Sequence, residues 1–188
     1  MSPRKLIGVL MITALLAACG HNGNDSDFSI GDSNILDGGI HVHDGKATLH
    51  AHGAPEAVIS AAGELTIGQQ SIAVNDAQRQ LLQQYYQHVV AVREHGIETG
   101  KAGAAIAGQA ISSVAKGVAS GNTDQIDKDI EAKTDAVTQS AMKICSDIAG
   151  IKTAQDGLAS QLPAFKPYAL IVGEHEVADC ENDSKEDR

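Results

Sequence analysis

The chain has 188 residues, with 14 Lys and Arg against 24 Asp and Glu, 43% hydrophobic residues, 3% aromatic residues and no Trp. That length fits one domain with tails, and a net charge of −10 argues against a protein that holds nucleic acid by neutralising phosphates, such as a polymerase or nuclease. With two Phe and three Tyr, the core must be built from Ala, Ile, Val and Leu, which suits close-packed helices better than an aromatic-lined catalytic pocket.

Residues 1–18 read as a secretory signal: Arg4 and Lys5, an apolar run from Leu6 to Ala18, then Cys19. The run is shorter than the roughly 20 residues a bilayer-crossing helix needs. Leu16-Ala17-Ala18-Cys19 is similar to a bacterial lipobox, which implies acylation of the Cys19 thiol and cleavage before it. Because two or more acyl chains anchor a protein stably, the partner implied is a membrane surface. By analogy with lipoprotein sorting, Gly20 after the cysteine favours the outer membrane, with the body facing the periplasm. Loss of Arg4 and Lys5 would take the mature charge to near −12.

Residues 19–39 are rich in Gly, Asn, Asp and Ser, with Phe28, Ile30, Ile35 and Leu36 as scattered apolar residues, and read as a tether. Over 40–74 the pattern becomes short β-type runs: Ile40 to His43, Lys46 to His52, Ala57 to Ser60, Leu65 to Ile67 and Ser71 to Val74. Asp44-Gly45, Gly53-Ala54-Pro55, Ala62-Gly63 and Gly68-Gln69-Gln70 separate them, which predicts a small antiparallel meander.

Asn75 and Gln78 have the spacing of a reciprocal N-cap, and a helical period follows. Val90, Ile97, Ala104, Ile111 and Val118 recur every seventh residue, and Ser120-Gly121-Asn122 then interrupts the chain. A second capping pair, Asn122 and Gln125, precedes the series Ile130, Val137, Ile144, Ile151 and Leu158, which is supported by Ala141, Ile148 and Leu162 and stopped by Pro163. Two long stripes joined by a short loop bury themselves by packing antiparallel, so 75–162 is predicted to be a helical hairpin. Residues 163–172 would return along Tyr168 to Val172 as a strand, and 173–188 form a polar, acidic tail. The fold class expected is thus α+β, a small N-terminal antiparallel β-meander followed by a long antiparallel α-helical hairpin.

Three features carry possible chemistry. Cys145 and Cys180 are an even pair in an exported chain once Cys19 is acylated, which makes them a disulfide candidate rather than catalytic thiols. If Asp44-Gly45 is a two-residue turn, His41, His43, His50 and His52 share one face of a hairpin. Neutral imidazoles at that spacing can chelate Zn or Cu, although the same pattern is what the polar face of a half-buried hairpin looks like. Gly96, Gly100, Ala104 and Gly108 line up at intervals of four in the first helix, a row that predicts close packing against the second helix. His88, His95 and His175 look isolated, one of Tyr85 and Tyr86 is expected in the core, and no motif supplies a nucleophile.

The stretch Ala57-Val58-Ile59-Ser60 to Gly63-Glu64-Leu65-Thr66-Ile67-Gly68, followed by Gln78-Arg79-Gln80-Leu81-Leu82 and Tyr85-Tyr86, resembles the YggN family of Gram-negative periplasmic proteins. Thr99-Gly100-Lys101-Ala102-Gly103 and Leu162-Pro163-Ala164-Phe165-Lys166-Pro167-Tyr168 extend the resemblance, which covers about residues 40–172. It implies a periplasmic compartment and a domain of unknown function, without catalytic residues or a resident cofactor. The lipobox departs from members with a plain signal peptide. The function expected is that of a lipid-anchored envelope module, non-enzymatic, with an envelope protein as candidate partner and no nucleic acid. The alternative is a periplasmic protein that binds Zn or Cu through the histidine face.

Overall fold

The computed structural model describes residues 33–36, 38–120 and 124–186. The signal segment, Cys19, most of the tether and the Gly121-Asn122 loop with its cap lie outside the described residues. What is described is α+β: a six-stranded antiparallel sheet, then a helical hairpin, a 3-10 turn and a short helix.

The strands are β1 (Ser33–Ile35), β2 (Ile40–His43), β3 (Lys46–Leu49), β4 (Ala57–Ser60), β5 (Leu65–Ile67) and β6 (Gln70–Ile72), and they lie in the sheet in chain order. Asp44 and Gly45 both have positive φ, 47° and 68°, the backbone twist that lets two residues join β2 to β3 with His43 opposite Lys46. Gly63 is fixed by a different constraint, because a Cβ there would sit 2.6 Å from the Arg79 carbonyl oxygen. β1 was not anticipated within the tether; Ile35 pairs with Ile40 and is buried, which recruits the three residues into the sheet. β3 stops at Leu49, short of His52, and β6 begins one residue before Ser71.

One face of the sheet is apolar: Ile40, Val42, Ala47, Leu49, Ala57, Ile59 and Leu65 are all buried. The helix α1 (Asp76–Ser120) lies against it, and α2 (Asp124–Gln161) packs along α1 and adds Ile151 and Leu158 to the same core. α1 starts as expected, with the Gln78 N–H donating to Asn75 Oδ1 at 2.9 Å and the Asn75 N–H donating to Gln78 Oε1 at 3.0 Å. Across the hairpin, Gln78 meets Gln161, Leu81 meets Gly157 and His88 meets Gly150, so numbers fall on one helix as they rise on the other. That is the antiparallel register.

The buried seam of α1 differs from the sevenfold series predicted for it. Leu82, Tyr85, Val89 and Val92 form the core stripe, whereas Val90 and Ile97 are half-buried and Ala104 is exposed. The sheet lies beneath the first four turns of α1, and its position selects the stripe. In α2 and just after it the described part of the predicted stripe is the real one: Ile148, Ile151, Leu158 and Leu162 are buried, Ile144 packs at its margin, and Val137 and Ala141 are half-buried, while Ile130, like Ile111 and Val118 of the α1 series, lies outside the described side chains.

The segment after Pro163 is not a strand. Pro163–Tyr168 is a 3-10 helix, and Phe165, Tyr168 and Val172 turn inward to close the end of the core. Gln155, fully buried in α2, replaces the missing sheet partner. Its amide NH₂ donates to the Ala169 and Val172 carbonyls at 2.8 Å each, and its oxygen accepts the Val172 N–H at 3.0 Å. The acidic tail is helical as α3 (Glu174–Glu186), and a disulfide from Cys145 to Cys180, with Cα atoms 5.5 Å apart, fastens it to α2. Among the described residues no helix is long and apolar enough to cross a membrane.

Candidate functional site

The histidine face is the first place to look for chemistry. β2 sets His41 opposite Thr48 and His43 opposite Lys46, so both imidazoles leave the sheet on the face away from the core. Their rings stack with centroids 6.3 Å apart. Each ring then turns to its own neighbour: His41 Nδ1 lies 2.8 Å from Asn34 Oδ1 on β1, and His43 Nε2 lies 2.9 Å from Asp44 Oδ2. His50 lies past the end of β3, 3.9 Å from Glu56, and His52 is exposed in the following turn. The four side chains predicted as a metal set are therefore not gathered at one point. Among the described residues no three His, Cys, Asp or Glu side chains converge to hold a metal ion.

A second constellation escaped the sequence reading. His88 and His95, two turns apart on α1, both reach Asp147 on α2: His88 Nδ1 to Oδ1 at 2.9 Å and His95 Nδ1 to Oδ2 at 3.0 Å. Both imidazoles donate from Nδ1, and the carboxylate, largely shielded from water, accepts on both oxygens. The His88 ring lies flat over Gly150, where a Cβ would fall 2.5 Å from ring atoms. This cluster bridges the two helices and fixes their register. Both oxygens of the one carboxylate are taken up by these two hydrogen bonds, which is the arrangement of a clamp between the helices. The seven-residue spacing of the histidines was visible in the sequence; the identity of their partner needed the hairpin register.

The third feature is a groove of about 660 Å³ along α1, open to solvent on one side. Val92, Gly96, Ile97, Gly100 and Ala104 form its floor on four successive turns, while Ile35 from β1 and Ile144 from α2 form its flanks. Asn34, Arg93 and Lys101 are its polar members. Here the expectation for the small-residue row is corrected. A Cβ built on Gly96, Gly100 or Gly108 meets nothing within 4 Å, so the row is not pressed against α2. Its missing side chains make the groove. The unanticipated β1 supplies one wall, and the α1 seam, having rotated toward the sheet, leaves the small residues uncovered.

The core holds one polar atom of note. Tyr85 is fully buried against Phe165, ring centroids 6.0 Å apart, and its hydroxyl has no hydrogen-bond partner among the described residues. Burial pushes that phenol far above the ordinary tyrosine range. Tyr168, by contrast, donates its hydroxyl to the Pro55 carbonyl at 2.5 Å.

No curated protein and no solved structure matches this chain. The model of an uncharacterised family, described as "Protein of unknown function (DUF2884)", matches residues 35–125, the stretch that runs from β1 through the sheet and along α1 with the groove.

Proposed function

We propose that this protein is a lipid-anchored envelope module, non-enzymatic, whose working surface is the groove along α1. The observation that carries the reading is the groove itself: an almost wholly apolar channel on a helix whose small residues leave it open. A concave, mostly apolar surface with a few polar groups at its rim is the form that small-ligand sites take. The anchor part of the reading is supported by Leu16-Ala17-Ala18-Cys19 and by the resemblance to the YggN family, which implies a periplasmic setting. Acylation at Cys19 would hold the body at a membrane surface, with Gly20 favouring the outer membrane. Since β1 begins at Ser33, the tether joins the body beside the groove wall formed by Asn34 and Ile35.

The test has two arms. Fatty-acid labelling of cells should mark the wild-type protein and fail on Cys19→Ser; unchanged labelling rejects the anchor. A photo-crosslinking residue at position 97, on the groove floor, should capture a discrete envelope component. Capture no richer than from the exposed position 94 rejects the groove as the working surface.

A further inference from the structure

We propose that the groove is a seat for a free long-chain fatty acid, its carboxylate held by Lys101. The inference rests on the groove being the working surface and names its ligand. Three observations lead there. The floor is long and narrow: from Val92 to Ala104 it follows one helix for about 18 Å at 1.5 Å per residue, which fits an extended single chain rather than a compact ring system. Its volume of about 660 Å³ lies within the range of small-ligand sites and has one row of small residues at its base, space for one chain. The third observation is charge. The protein carries a net −10, yet among the described residues of the lining the charged ones, Arg93 and Lys101, are both cationic.

An apolar floor with cations at its margin is complementary to an anionic amphiphile. The carboxylate keeps partial contact with water on the open side while accepting hydrogen bonds from the Lys101 ammonium, and the chain lies over Gly96 and Gly100. Nothing covalent is required. Each methylene taken from water strengthens such binding about fourfold. A side chain that displaces two of them therefore weakens it about fifteenfold.

The experiment uses the full chain carrying Cys19→Ser, so that no acyl group of its own competes, and follows displacement of fluorescent cis-parinarate by oleate without detergent. The expected result is one site per chain, weakened about tenfold or more by Gly100→Leu, which fills the floor. Lys101→Glu should weaken oleate while sparing oleyl alcohol. Gly100→Leu and Lys101→Glu both lie where the protein is open, and a melting temperature close to the parent's shows that each is folded. The proposal is overturned if the parent binds no oleate, if Gly100→Leu binds it as well as the parent, or if oleyl alcohol competes as strongly as oleate. If oleate fails while position 97 still captures an envelope protein in cells, the fatty acid is wrong and the module reading stands. If both fail, the groove is not the working surface.

Discussion

Replacing Gln155 by Leu tests the account of how the end of the core is closed. Leucine keeps most of the volume of glutamine, so the change creates little cavity and isolates the polar contribution. In the native fold the Gln155 amide satisfies three backbone groups: the Val172 N–H, the Val172 carbonyl and the Ala169 carbonyl. Ala169 adjoins Leu170, which is 88% exposed, so its carbonyl can turn toward water. Val172 is fully buried, and its two groups cannot. A buried group stripped of its partner costs about 1 to 3 kcal/mol, so two such groups predict a loss of about 2 to 6 kcal/mol. For a domain of this size that corresponds to a fall in Tm of about 4 to 24 °C. Urea unfolding with the Cys145–Cys180 disulfide intact measures the loss, and hydrogen exchange at the Val172 amide locates it. A loss below about 1 kcal/mol, with Val172 still protected, would show that the turn is held by Phe165 and Tyr168 packing alone and would refute the argument.

Three more predictions follow from the same geometry. Gly100→Ala should stabilise the protein by somewhat under about 1 kcal/mol, the helix-propensity difference at an open site, whereas Gly150→Ala should destabilise it by displacing the His88 ring from Asp147; paired thermal melts of the two variants check the contrast. Tyr85→Phe should leave stability at neutral pH unchanged or raise it by about 1 kcal/mol, since it removes a buried hydroxyl without a partner among the described residues. It should also flatten the alkaline limb: below pH 10.0 both states keep the phenolic proton, and above it the unfolded chain loses its proton first, so wild-type stability falls with rising pH more steeply than that of the variant, as urea midpoints above that pH would show. Finally, Cys145→Ser should cost about 2 to 4 kcal/mol and free α3 for proteolysis, read by urea midpoint and limited digestion.

Local chemistry was the legible part of the sequence. The Asp44-Gly45 turn, the Asn75–Gln78 cap and the stop at Pro163 each depend on a few adjacent residues, and each is where the pattern put it. α2 could be read because its strong apolar residues fall on one stripe. α1 could not, because Val, Ile, Ala and Gly occur around most of its circumference, so periodicity offers two stripes and only the sheet beneath selects Leu82, Tyr85, Val89 and Val92. β1 is three residues in a polar stretch, with its pairing to β2 decided by the burial of Ile35. The groove inherits both difficulties. Gly96, Gly100 and Ala104 stood out in the sequence, but whether a row of small residues receives a neighbour or leaves a channel is a property of what packs beside it. The strand predicted at Tyr168–Val172 failed for a related reason, since Gln155 of α2, 17 residues before Val172, satisfies that backbone with its side chain.

The hydrogen bond from Tyr168 to the Pro55 carbonyl has a consequence for the order in which the chain assembles. Every strand pairs with the one next to it in sequence, and the hairpin too is built from neighbouring segments, so most of the molecule forms by short loop closures. The bond to Pro55 joins residues 113 apart and brings Phe165 and Tyr168 onto the core only when nearly the whole chain is present. A chain made from its N-terminus therefore carries an incompletely covered apolar sheet until its last segment arrives. Products truncated before Phe165 leave the end of the core open, and they are the species a quality-control protease or a chaperone would meet.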